Sequence, residues 1–282
     1  MEVLTQLILL LMLCCALATR VRPRGSRCLF VGSFNVKWFT VAKSADDNVI
    51  SVVADIIQRY DVMLMMEIRD DDRQTAMNRL WERVNMTSPY GLSLSRPLGR
   101  NHTRYREQYA FFYRLGKAYL ADTLQYDDFP NDEFEREPYS VLIKTSQRSS
   151  QRGTAFIGVH IQPKSAVAEL ASMVEVADTV IHLWNTDKAV ILGDLNADCS
   201  YMSAAARAQT PLKTDSRFTW LIPDTADTTV SPQTNCAYDR IIVSDSVEHR
   251  GASVFNYEAQ YSLTLEEART ISDHFPVEAY IC

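Results

Sequence analysis

Apolar residues along the chain fall into two alternating patterns. Continuous apolar runs at 28–34, 62–67, 154–160 and 188–194 read as buried strands. Between them, apolar positions recur every three or four residues, as in a helix with one face on the core. Val49, Val52, Val53, Ile56 and Ile57 predict a helix over 45–59, and Leu80, Trp81 and Val84 one over 71–85. Val167, Leu170, Val174, Ala177, Ile181 and Trp184 mark a longer one over 166–184. Shorter β segments are expected at 90–95, 108–114, 118–126, 139–145, 217–222, 237–243 and 251–256. A short helix is expected near 201–208 and a last strand from His274 to Ile281. Strand, helix, strand, helix occurs in each half. This predicts an α/β fold: a four-layer α/β sandwich of two packed β-sheets flanked by helices.

The order of elements changes the reading of the polar residues. Residues 190–200, Val-Ile-Leu-Gly-Asp-Leu-Asn-Ala-Asp-Cys-Ser, end a strand, turn at Gly193 and then project Asp194 and Asn196. Alone, this is a strand ending in a polar turn. Three other apolar stretches end similarly, at Asn35, Glu67 and His160, and Asp273-His274 opens the last strand. An α/β sheet places its chemistry at such ends.

Composition narrows the setting. Residues 4–18 are almost wholly apolar and end in Ala16-Leu17-Ala18, the small-x-small form of a signal peptidase site, so residues 1–18 are read as a secretory signal. Its removal would change the net charge from −6 to −5. The remaining chain, 19–282, shows no linker, repeat or low-complexity tract and is expected to form one domain. No later segment is expected to span a membrane. Secretion would make Cys28, Cys199, Cys236 and Cys282 disulfide candidates with three possible pairings, and Asn85 and Asn101 glycosylation acceptors.

Asn35, Glu67, Asp194, Asn196 and Asp273 are hard oxygen donors, and no Cys/His spacing points to zinc. Such a set suits Mg²⁺, Mn²⁺ or Ca²⁺, which keep several waters and bind phosphate. His160 and His274 share the same strand-end positions, with Glu107 and Asp239 as carboxylates to orient them. A metal beside two His–carboxylate pairs is equipment for hydrolysing a phosphate ester. His102, His182 and His249 are read as ordinary surface or core residues.

Six segments then carry a resemblance. Ser33-Phe34-Asn35-Val36, Met66-Glu67-Ile68-Arg69-Asp70, Pro97-Leu98-Gly99-Arg100-Asn101, Gly193 to Tyr201, Thr234 to Arg240 and Ser272 to Glu278 occur in order. Together they resemble the secreted deoxyribonuclease I family of the endonuclease/exonuclease/phosphatase superfamily, over residues 28–282. The resemblance implies endonucleolytic hydrolysis of double-stranded DNA to 5′-phosphate ends. It implies that Glu67, Asn35, Asp194, Asn196 and Asp273 hold Mg²⁺ or Mn²⁺ and the scissile phosphate. His160 with Glu107, and His274 with Asp239, would be the acid/base pairs. Arg69, Asn101, Tyr105 and Arg136 would meet the minor groove and phosphates, reading shape more than sequence.

Structural Ca²⁺ would sit at Asp128, Asp132, Phe134 and Glu137, and at Asp227 and Thr229. The loop after Asp128 is shorter than in the family's founding enzyme, and the region from Asp227 to Cys236 is one residue longer. Cys199 and Cys236 match the family's main disulfide. If Asn35 and His274 meet at the site, antiparallel strands of seven and eight residues bring Cys28 and Cys282 together at the far end, predicting a second. The chain ends at Cys282 without a basic tail, which leads us to expect a smaller advantage on nucleosomal or lipid-coated DNA than tailed relatives have. A monomer is expected. The alternatives are a phosphatase or phospholipase of the same superfamily, and a non-catalytic protein binding monomeric actin.

Overall fold

The computed structural model describes residues 28–99, 106–146 and 152–282. The expected signal 1–18, His102, and the positions Asn101 and Tyr105 lie outside the described residues. The twelve strands described form two six-stranded mixed sheets. The first has the order β11 (His249–Val254), β12 (Val277–Ile281), β1 (Leu29–Thr40), β2 (Val62–Arg69), β4 (Gln108–Arg114), β3 (Tyr90–Leu94). The second runs β5 (Tyr119–Gln125), β6 (Tyr139–Lys144), β7 (Thr154–His160), β8 (Ala189–Asp194), β10 (Asp239–Ser244), β9 (Phe218–Trp220).

Three apolar clusters make the layers. Leu64, Met66, Phe111, Val141, Phe156, Leu192, Ile241 and Val277 fill the space between the sheets. Helices Asp47–Ile57 and Thr75–Asn85 cover the outer face of the first sheet, and Ala166–Trp184 that of the second. The expected four-layer sandwich is therefore the observed fold. The two halves of the chain do not each make one sheet, because β11 and β12 return to complete the first.

Local differences have local causes. In helix Ala166–Trp184 the buried stripe is Ala166, Glu169, Leu170, Met173, Val176, Ala177 and Val180, so Val167, expected inward, is 49% exposed. Trp81 is 40% exposed, with its indole N–H donating to the Tyr90 carbonyl at 3.0 Å. The helix expected from residue 71 begins at Thr75, because Asp70 and Asp71 turn back as acceptors for the first turn. The strand expected to end at Phe34 continues to Thr40 through an irregularity between Asn35 and Phe39. The last strand begins at Val277, so His274 lies before it, held by a bridge to Thr229. Helices Val41–Ser44, Pro211–Thr214, Tyr257–Gln260 and Leu265–Ile271 had no counterpart in the sequence reading.

Both disulfides are formed, Cys28–Cys282 and Cys199–Cys236. The first closes the β1–β12 pair, whose register sets Leu29 against Ile281. No helix among the described residues is long and apolar enough to cross a membrane.

Candidate active site

Strand register brings the polar ends together. In the second sheet His160 pairs with Asp194, and Asp194 with Asp239, so three adjacent strands deliver them at one level. Gly193 permits this with φ +147°, and a Cβ there would lie 1.8 Å from the Val159 carbonyl oxygen. Asn196 follows in the left-handed region, with its N–H on Asp194 Oδ1 at 3.0 Å and its amide on the Ile161 carbonyl at 2.8 Å. From the first sheet, Glu67 lines the same cleft, and Asn35 is buried beneath it against Glu67 and Asp194. Its volume is about 590 Å³, and its lining includes Lys37, Glu67, His160, Asp194, Asp273 and His274.

Two His–carboxylate pairs face each other across Asp194. Glu107 Oε2 lies 3.1 Å from His160 Nδ1, and Asp239 Oδ2 lies 2.7 Å from His274 Nδ1. The opposite ring nitrogens both point at Asp194 Oδ2, at 3.6 Å from His160 and 3.7 Å from His274. His160 Nε2 is also 3.9 Å from Glu67 Oε1. Burial disfavours charge on Glu107, yet His160, Arg136 and Arg69 outweigh it and hold its pKa down to about 2. Burial likewise opposes the His274 imidazolium, but Asp239 and Asp194 prevail and raise its pKa to about 10. Burial pushes Asp239 up, against the pull of His274.

Several groups that sequence reasoning missed hold this geometry. The Thr228 hydroxyl, fully buried, accepts the N–H groups of Tyr238 and Asp239 at 3.1 and 3.2 Å. The Ser272 hydroxyl donates to the Asn35 carbonyl at 2.6 Å and accepts the His274 N–H at 3.1 Å. Tyr109 accepts the His160 N–H at 2.8 Å. Lys43 spans the Val36 and Lys37 carbonyls at 2.7 Å each, and burial lowers its pKa to about 8. Only Ser272 had a signal, as the first residue of the Ser-Asp-His motif.

The carboxylates of the centre fit a divalent ion. Asp194 and Asp239 each bring an oxygen, and His274 a ring nitrogen, to within 4.8 Å of one another, and with His274 held as a cation beside Asp239 the oxygens are the donors. Glu67 and Asp273 add carboxylates, Asp273 carrying Lys37 Nζ at 2.7 Å. The Asn35 amide nitrogen donates to Glu67 Oε1 at 2.9 Å and to Asp194 Oδ2 at 3.1 Å, while its oxygen accepts the Lys37 N–H at 3.0 Å.

Behind the His160–Glu107 pair, Arg69 bonds Glu107 Oε1 at 2.8 Å, and Arg136 donates to the His160 carbonyl at 3.1 Å from a largely buried position. Asp128 Oδ2 accepts the Phe134 N–H at 2.8 Å in a loop where Asp132 is left-handed, and Glu137 pairs with Arg96 at 3.1 Å. Asp227 Oδ1 accepts both the N–H and the hydroxyl of Thr229, at 3.0 and 2.7 Å. The Asn85 amide donates to the Trp81 carbonyl at 2.8 Å and accepts the Tyr90 N–H at 2.9 Å. His182 and His249 are exposed.

Comparison with known proteins places this arrangement. Residues 32–274 match the model of the endonuclease/exonuclease/phosphatase family. The mouse protein deoxyribonuclease-1-like 2 is 41% identical over 90% of this chain and 92% of its own length, and bovine deoxyribonuclease-1 is 39% identical over 89% and 91%. A crystal structure of an endonuclease/exonuclease/phosphatase from Bacteroides vulgatus shares the fold with a TM-score of 0.62 at 16% identity, over 90% of this chain and 98% of that one. The chain therefore belongs to the deoxyribonuclease I family, within the endonuclease/exonuclease/phosphatase family.

Proposed function

We propose that the chain is a secreted, divalent-metal-dependent deoxyribonuclease that hydrolyses internal phosphodiester bonds of double-stranded DNA to 5′-phosphate ends with little sequence specificity. The observation that carries this reading is the pair of imidazoles aimed at Asp194 from opposite sides, each backed by a buried carboxylate. The relatives' names supply the substrate class.

In-line hydrolysis needs a proton taken from water on one side of phosphorus and a proton given to the leaving 3′-oxygen on the other. His160 and His274 stand where one can do each. Glu107 and Asp239 fix the tautomers and stabilise the imidazolium of each pair, and Arg69 and Arg136 fix Glu107. Glu67, Asn35, Asp194, Asn196 and Asp273 would hold Mg²⁺ or Mn²⁺ and the scissile phosphate, and the ion when bound neutralises phosphate charge and polarises the P–O bonds. Structural Ca²⁺ at Asp128, Asp132, Phe134 and Glu137, and at Asp227 and Thr229, would stiffen loops away from the chemistry. Arg69, Asn101, Tyr105 and Arg136 would position the duplex. Residues 1–18 would direct secretion of a monomeric 19–282 domain, a setting in which both disulfides persist.

The test is nicking of supercoiled plasmid by the purified protein with Ca²⁺ plus Mg²⁺ or Mn²⁺, at neutral and acidic pH. EDTA should abolish nicking, and His160→Ala should slow it by about 10²–10⁴-fold. No nicking under any metal or pH would overturn the reading. Phosphate release from a monoester with the plasmid intact would point to a phosphatase.

A further inference from the structure

Trp38 is 54% exposed, although Val36 and Phe39 on the same strand are fully buried. Lys37 and Trp38 both adopt the left-handed region, at φ +40° and +51°, where the β1–β2 register shifts. For bulky residues this conformation is strained and is kept where surrounding structure demands it. Here it has two effects. It turns the Trp38 N–H onto Glu67 Oε2 at 3.1 Å, and it leaves the side chain exposed next to Lys37 and Glu67, which line the cleft. The Arg69 guanidinium lies 4.7 Å from the ring centroid while bonding Glu107, so the indole is backed by a cation between Glu67 and the Glu107–His160 pair.

An exposed aromatic plane beside a phosphodiester-cleaving centre has an obvious counterpart, since every nucleobase has a π-face. Inside a duplex those faces are covered by neighbouring bases. Only an unpaired, frayed or extruded base offers one. We propose that Trp38 is a specificity-determining residue, a stacking platform for an unpaired base next to the scissile phosphate, which sets how well this site takes single-stranded relative to duplex DNA. The proposal rests on the nuclease reading and deepens it.

Steady-state cleavage of one labelled oligonucleotide, alone and annealed to its complement, tests it in the wild type, Trp38→Ala and Trp38→Phe. Trp38→Ala should lower the single-strand to duplex ratio of kcat/KM about tenfold, mainly through KM, and Trp38→Phe should restore most of it. A ratio within twofold of wild type overturns the proposal. So does an equal fall on both substrates with an altered pH profile, which would make Trp38 only a support for Arg69 and Glu107. A wild type that cleaves neither substrate would sink the nuclease reading instead. Binding of the same single strand in EDTA, followed by fluorescence anisotropy, would still decide on Trp38, whose loss should weaken it about tenfold.

Discussion

Glu107 has three cationic or potentially cationic neighbours, His160 at 3.1 Å, Arg69 at 2.8 Å and Arg136 at 3.6 Å. A carboxylate whose folded pKa is depressed adds stability above its unfolded value, near 4.5, and loses it as pH falls toward the folded value, about 2. Glu107→Gln should therefore be less stable than wild type at neutral pH, by on the order of 2–3 kcal/mol. That gap should narrow between about pH 5 and pH 2, as urea unfolding at several pH values would show. A gap independent of pH would mean that packing, not charge, is lost. Activity of the same variant should drop about 10²-fold or more, because His160 loses the carboxylate that orients its ring. Glu67, His160, Asp194, Asp239, Asp273 and His274 were legible in the sequence, since each ends an apolar run or sits in one of the six segments, whereas Glu107 does neither and entered only as a carboxylate that could orient a histidine. Trp38, Thr228 and Tyr109 were not. Their parts depend on a left-handed backbone and on contacts across tens of residues, which no local pattern encodes.

At the scale of elements, the junction of β2 with helix Thr75–Asn85 ties stability to the site. The residue before that helix, Gln74, is left-handed and gives its N-terminus no side-chain cap. Asp70 supplies one from outside, accepting the N–H groups of Ala76 and Met77 at 2.9 and 2.8 Å. Asp70 directly follows Arg69, so the same short segment caps the helix and aims the guanidinium at Glu107. Asp70→Ala should cost about 1 kcal/mol, within the range of lost helix caps, seen as a lower urea midpoint with an unchanged slope. An unchanged midpoint would show that water replaces the carboxylate at no cost. Helix positions were read well from periodicity, but their faces less so. In Ala166–Trp184 alanines and a buried Glu169, bonded to the Gln162 N–H at 3.1 Å, complete the inner stripe, and hydropathy alone ranks neither above valine. The helix Leu265–Ile271 escaped the reading despite a Thr264–Glu267 capping box, because its seven residues carry too few apolar positions to show a period.

At the scale of the molecule, chemistry and closure lie at opposite ends of the same strands. Asn35 is seven residues along β1 from Cys28, roughly 23 Å of extended chain. The Cys28–Cys282 bond thus pins the β1–β12 pair at the end away from His160 and His274, across a sequence separation of 254 residues. Closing so long a loop restricts the unfolded chain far more than the folded one. The double variant Cys28→Ser/Cys282→Ser should therefore lose about 2–4 kcal/mol of stability, while kcat on plasmid DNA stays within twofold of wild type at a temperature where both are folded. The Cys199–Cys236 bond is placed differently, because Tyr201 and Tyr238, each two residues from one of its cysteines, line the cleft. Cys199→Ser/Cys236→Ser should raise KM as well as lower stability. If the Cys28/Cys282 variant lost kcat as steeply as stability, the two ends of the sheet would be coupled through β1, and the separation of closure from chemistry drawn from this topology would be wrong.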